Sequence, residues 1–207
     1  MSKKIMKRSL ALGALMAFVI TGSAWAEELR GADSNPKTEY RDANGEKIRI
    51  IVNAESDKKS YEGYKFTGFL TKDATHGGVF YISSLNKDDV VNFNNCEFID
   101  NDLITTGEGH GGVIWVGGSG DVVITNSTFK NNYLESGTNR SYGASICNDS
   151  GKLTIDGCYF SGDTVKGPGR AYGVVIDISG KDSVTKISNT TFEKIWFSGT
   201  SSNTNGK

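Results

Sequence analysis

The chain of 207 residues lacks a helical period beyond its N-terminus. Its interior shows no apolar recurrence every 3.6 positions and no helix-length segment to carry a crossover, which excludes helical repeats and leucine-rich horseshoes. A second long apolar run is missing, so no transmembrane helix is expected after the N-terminal segment. Excess positive charge is missing too: the formal net charge is −1. That argues against nucleic acid or an anionic lipid surface as partner. Cysteine is scarce and odd in number, at three. Cys96 and Cys158 fall in one repeat slot two units apart, about 9.6 Å at sheet spacing, beyond the roughly 7 Å that a disulfide spans. Both are expected as buried packing residues, with no intrachain disulfide.

What is present begins with export. Lys3, Lys4, Lys7 and Arg8 precede an apolar run from Leu10 to Ile20, and Ala24-Trp25-Ala26 supplies small residues at the −3 and −1 positions. Residues 1–26 read as a signal peptide cleaved after Ala26. Its loss removes four positive charges and leaves the mature chain near −5. Residues 27–43 read as a polar leader or N-terminal cap, 44–197 as the folded repeat, and 198–207 as a disordered tail.

The repeat decides the architecture. Val91–Phe98, Val122–Phe129, Leu153–Phe160 and Thr185–Phe192 align, and the closing Phe recurs at steps of 31, 31 and 32. A second marker keeps time with it: His76-Gly-Gly-Val-Phe80, His110-Gly-Gly-Val-Ile114, Tyr142-Gly-Ala-Ser-Ile146 and Tyr172-Gly-Val-Val-Ile176. A fainter copy, Asn44-Gly-Glu-Lys-Ile48, sits 32 residues before His76-Gly-Gly-Val-Phe80. Five units of this length, each unable to bury its apolar face alone, must stack. Inside a unit apolar residues alternate over four to six positions, the strand signal. The expectation is an all-β, right-handed parallel β-helix of pectin-lyase-like type. Its five coils at about 4.8 Å spacing make a rod roughly 24 Å long.

Stacking predicts columns. Phe66, Phe98, Phe129, Phe160 and Phe192 fall inside, as do Phe80/Ile114/Ile146/Ile176, Phe93/Ile124/Ile155/Ile187 and Leu103/Leu134/Val165/Phe197. Asn95, Asn126, Gly157 and Asn189 mark a bend, since Asn and Gly tolerate left-handed backbone angles.

The paired motifs Gly77-Gly-Val-Phe80 with Phe98-Ile-Asp-Asn101, and Gly111-Gly-Val-Ile114 with Phe129-Lys-Asn-Asn132, resemble those of chlamydial polymorphic membrane proteins and related autotransporter passenger domains. The later copies, Phe160-Ser-Gly-Asp163 and Phe192-Glu-Lys-Ile195, depart from the pattern. The resemblance covers about residues 44–197. It implies export to the bacterial surface or outer membrane, a parallel β-helix, and roles in adhesion or host contact. Such proteins also need a C-terminal β-barrel, which this sequence does not supply.

No catalytic set and no cofactor is expected. His110 shares its slot with His76, Tyr142 and Tyr172, which reads as a turn before a strand. An enzyme of polysaccharide lyase or hydrolase type would require at least three acidic or basic groups converging on one outward face. Asp100, Asp102, Asn131, Asn132 and Asp163 read as a solvated turn ladder rather than a Ca²⁺ site. His76, His110 and Cys147 have no close ligand partners along the sequence, so no metal site is expected. The favoured functional feature is a surface. Alternation turns Val79, Tyr81, Val113, Trp115, Ser145, Cys147, Val175 and Asp177 outward. The candidate binding stripe is Val79, Tyr81, Val113 and Trp115, flanked by His76 and His110. It suits a host or cell-surface protein or a glycan. Three readings follow: an exported non-enzymatic adhesin-like module, a carbohydrate-active or carbohydrate-binding protein, and a truncated relic of a longer passenger. An uncapped last coil after Phe197 would invite end-to-end self-association.

Overall fold

The computed structural model describes residues 37–138 and 140–199. The expected signal peptide, most of the leader and all but the first two residues of the tail lie outside the described residues. All 24 elements are strands, every pairing is parallel, and no helix occurs among the described residues. The chain is a β-solenoid of about five turns.

Each turn passes through four sheets in succession. The first holds Ile50–Val52, Phe80–Ile82, Ile114–Val116, Ile146–Asn148 and Ile176–Ile178. The second holds Ser60–Glu62, Val90–Asn94, Asp121–Thr125, Lys152–Asp156 and Val184–Ser188. The third runs from Thr38–Glu39 through Tyr64–Thr67, Glu97–Ile99, Thr128–Lys130 and Tyr159–Ser161 to Thr191–Glu193. The fourth holds Leu70–Lys72, Asp102–Thr105, Tyr133–Ser136, Thr164–Gly167 and Trp196–Gly199. A shorter fifth sheet, Gly109–His110, Arg140–Tyr142 and Arg170–Tyr172, closes the middle turns. This is finer than the two or three strands per unit that alternation suggests.

The four apolar columns form in the expected register. Along the third sheet the Phe rings stack at centroid spacings of 5.0, 4.5, 4.5 and 4.9 Å, within 15° of parallel. Parallel in-register pairing fixes the spacing, and the offset stack is favourable for the ring quadrupoles. The first coil corrects the sequence alignment. Ile50, not Ile48, lies opposite Phe80, and Ile48 is exposed. Tyr40, at the leader boundary, packs 5.2 Å from Phe66 and covers that end of the column. In the last described coil Phe192 and Phe197 are 42% and 45% exposed, against none for Phe160, so that column end is uncovered among the described residues.

Three corners bend each turn. Asn95, Asn126, Gly157 and Asn189 take positive φ as predicted, and Asp100, Asn131, Gly162 and Lys194 form a second such column. The third is Gly77, Gly111, Gly143 and Gly173, φ between 55° and 66°. A Cβ at Gly77 would strike the Phe80 carbonyl, and the other three repeat that geometry. Only glycine fits there, which explains the first Gly of the recurring pair.

The Phe-x-x-Asn motif has an interior purpose. Asn101, Asn132 and Asp163 are fully buried, which corrects the solvated-ladder expectation for Asn132 and Asp163, whereas Asp100 and Asn131 are exposed as expected. Asn101 Nδ2 donates to Asn132 Oδ1 (2.9 Å) and to the Phe66 carbonyl (3.1 Å). Asn132 Nδ2 donates to Asp163 Oδ1 (3.0 Å) and to the Phe98 carbonyl (3.0 Å). Asp163 Oδ2 accepts from Ser145 Oγ at 2.7 Å. The ladder satisfies backbone groups at a bend where strand pairing lapses. Burial pushes the Asp163 carboxyl up to about 6, despite these hydrogen bonds.

Cys96 and Cys158 are buried, as expected. Their thiols donate to the Tyr61 and Ile124 carbonyls at 3.3 and 3.5 Å.

Candidate functional site: an aromatic and donor-rich outer face

The outward column of the first sheet is Ile51, Tyr81, Trp115, Cys147 and Asp177. Val79 and Val113 do not belong to it. Both are fully buried in the core, as is Ser145, and Val175 is nearly so. The reason is a break in alternation at the glycine corner. The amides of Val79 and Phe80 both donate to the Val113 carbonyl, at 2.9 and 2.8 Å. The amides of Val113 and Ile114 share the Ser145 carbonyl in the same way. Two consecutive side chains therefore face inward before the strand begins its period of two. Strand alternation, applied through a bend, misassigned them.

The remaining four stripe residues do come together. Tyr81 and Trp115 stack at 4.8 Å with 9° between their planes. His76 sits edge-on to Trp115 at 4.6 Å. The Arg49 guanidinium lies 5.3 Å over Tyr81 and donates to the His76 carbonyl at 3.0 Å. Beside this pair runs an outer ladder, His76–His110–Tyr142–Tyr172, with ring spacings of 4.6, 4.3 and 5.1 Å. The slot shared by His and Tyr is thus a continuous ring stack on the outside of the solenoid.

Asp149, which the repeat pattern gave no reason to single out, organises the patch. Its Oδ2 accepts from Trp115 Nε1 at 2.6 Å, and its Oδ1 accepts from Ser179 Oγ at 2.8 Å. Cys147 Sγ donates to Asp149 Oδ1 at 3.3 Å, lies 3.7 Å from Asp177 Oδ2, and stands 3.9 Å from His110 Nδ1. His110 Nδ1 lies 3.8 Å from Asp149 Oδ2, and its Nε2 lies 3.8 Å from Glu108. His76, His110 and Asp149 bring donor atoms within 4.8 Å of one another, as do Cys147, Asp149 and Asp177. The expected isolation of His76, His110 and Cys147 is therefore overturned. Stacking places residues one coil apart side by side although 30 or more positions separate them in the chain.

The electrostatics follow from partial burial. Burial raises the Asp177 carboxyl, and the neighbouring Asp149 charge adds to the rise. Burial would raise Asp149 as well, but hydrogen bonds from Trp115, Ser179 and Cys147 outweigh it and hold that carboxyl low. Burial, then the Asp149 and Asp177 charges, drive the Cys147 thiol far up. Burial and the adjacent His110 push His76 down.

Tyr133 and Trp196 share an outward column of the fourth sheet, with Thr164 between them. No protein-family model, curated protein or solved structure matches the chain.

Proposed function

We propose that the chain is an exported, non-enzymatic binding module of adhesin type, similar in plan to an autotransporter passenger. Its outer face would hold a host or cell-surface protein or a glycan. The observation that carries this reading is the parallel-stacked, partly exposed Tyr81–Trp115 pair with His76 at its edge. Rings already fixed in place by stacking offer a sugar or an apolar side chain their exposed edges and outer faces at little entropic cost. Trp115 is held by the Asp149 carboxylate and lies over Gly117, where a Cβ would collide with the indole. A glycan array and a matrix-protein panel, probed with the purified chain, test the proposal. Tyr81→Ala and Trp115→Ala are expected to weaken binding by tenfold or more while thermal unfolding stays near wild type. A hot-spot aromatic is worth about 2 kcal/mol or more. Unchanged binding in both variants, or no bound ligand at all, contradicts it.

A second reading, a carbohydrate-active enzyme, is favoured by one observation. His110, Asp149 and Asp177 converge on one outward face, the condition such an enzyme requires. Cleavage products from acidic polysaccharides, lost in Asp149→Asn, would move the conclusion to that reading.

A further inference from the structure

We propose that the outer face binds a divalent transition-metal ion of the zinc class, held by His110, Cys147, Asp149 and Asp177. The first argument is geometric. Zinc bonds to nitrogen and oxygen at about 2.0–2.2 Å and to sulfur at about 2.3 Å, so ligand atoms at the corners of a tetrahedron lie roughly 3.3–3.8 Å apart. The donor separations here are 3.3 Å (Cys147 Sγ to Asp149 Oδ1), 3.7 Å (Cys147 Sγ to Asp177 Oδ2), 3.8 Å (His110 Nδ1 to Asp149 Oδ2) and 3.9 Å (His110 Nδ1 to Cys147 Sγ). Cys147, Asp149 and Asp177 already bring one donor atom each within 4.8 Å of one another, and His110 Nδ1, 3.9 Å from Cys147 Sγ, moves in as the fourth ligand.

Charge is the second argument. Asp149 and Asp177 are neighbouring carboxylates beside a buried thiol, and neither forms an ion pair with a lysine or arginine among the described residues. Two carboxylates held close together and partly withdrawn from water, without a lysine or arginine beside them, are costly. A divalent ion supplies the missing charge. On binding, the Cys147 thiol gives up its proton to solvent and the thiolate becomes a ligand.

The support around the ligands is third. Trp115 Nε1 and Ser179 Oγ each donate to Asp149, which fixes its carboxylate plane. Tyr142 stacks on His110 at 4.3 Å and sets the imidazole orientation. The His110 and Asp149 side chains keep 17% and 28% of their surface open to solvent, which provides an entry path. A donor set of one nitrogen, one sulfur and carboxylate oxygens suits zinc or cobalt and not calcium or magnesium. His76, which joins His110 and Asp149 in the other donor group, stands ready as a neighbouring ligand.

The test uses the untagged purified chain, stripped with a chelator and titrated with Co²⁺ and then Zn²⁺. One equivalent of cobalt is expected to give the visible bands of a tetrahedral site together with a thiolate charge-transfer band, both bleached by zinc. Cys147→Ser should abolish the thiolate band. His110→Phe keeps the ring stack and removes the donor, so it should fold normally and weaken cobalt binding at least tenfold. Cys96→Ser, at a thiol buried elsewhere, should leave the spectrum unchanged. Absence of tetrahedral cobalt bands in the wild-type chain overturns the proposal. A thiolate band that survives in Cys147→Ser, or full affinity in His110→Phe, overturns it equally.

Discussion

Two ring ladders run along this solenoid, one inside and one outside. The inner one, Phe66–Phe98–Phe129–Phe160–Phe192, and the outer one, His76–His110–Tyr142–Tyr172, have nearly the same ring spacing. The same in-register pairing sets both, because like positions must meet once per turn. Their surroundings differ. From Phe66 to Phe160 the inner rings are fully buried, so the inner ladder's free energy is mainly apolar burial. The outer rings are partly wet and carry nitrogen and hydroxyl groups beside Asp149, Glu108 and Arg140. Periodicity alone therefore specifies stacking and does not specify function. The outer residue type changes from turn to turn while the inner one stays Phe.

Several substitutions would break or sharpen this contrast. The largest effect is expected inside. Phe129→Ala should cost roughly 3–5 kcal/mol in denaturant unfolding, the usual range for a buried Phe. A cost near that of an outer ring would erase the distinction between the ladders. Next comes the buried polar ladder. Asp163 has a folded-state pKa raised by burial to about 6, above its ordinary 3.8. A raised carboxyl stabilises the fold in its protonated form, so stability should fall as pH rises from about 4 through about 6. The full linkage is worth about 3 kcal/mol. Asp163→Asn continues the asparagine ladder and should flatten that dependence, compared by urea midpoints at pH 4 and 7. An unchanged slope would remove Asp163 as its source. The smallest effect is expected outside: Tyr142→Ala should cost about 1 kcal/mol, the worth of a partly exposed ring pair. It should disturb the His110 environment, read from the imidazole NMR chemical shifts at one pH, more than it disturbs folding.

The contrast also marks what the sequence revealed. The four inner apolar columns and the Asn95/Asn126/Gly157/Asn189 corner could be read directly, because each depends on one residue type recurring at one interval. Val79 and Val113 could not, since shared carbonyl acceptors at the glycine corner suspend alternation for one step. The interior position of Asn101, Asn132 and Asp163 was hidden because a polar residue in a turn reads as solvated. Only its hydrogen bonds to the Phe66 and Phe98 carbonyls explain its burial. In the first coil weak marker residues shifted the alignment by two, from Ile50 to Ile48. His76, His110, Trp115 and Tyr81 were legible as one stripe from their repeat slots. Their meeting with Cys147 and Asp149 was not. Asp149 lies in a non-repeating bend after the strand, and its reach back to Trp115 depends on three-dimensional closure of the turn.

The claim on which the two-ladder account rests is that phenylalanines one repeat apart touch, and those two repeats apart do not. A double-mutant cycle with Leu substitutions at Phe98 and Phe129, set beside one at Phe98 and Phe160, measures this directly. Stacked neighbours should couple by about 1 kcal/mol, and the pair separated by a rung should be additive to within about 0.5 kcal/mol. Additivity in the first cycle, or equal coupling in both, would contradict the stack.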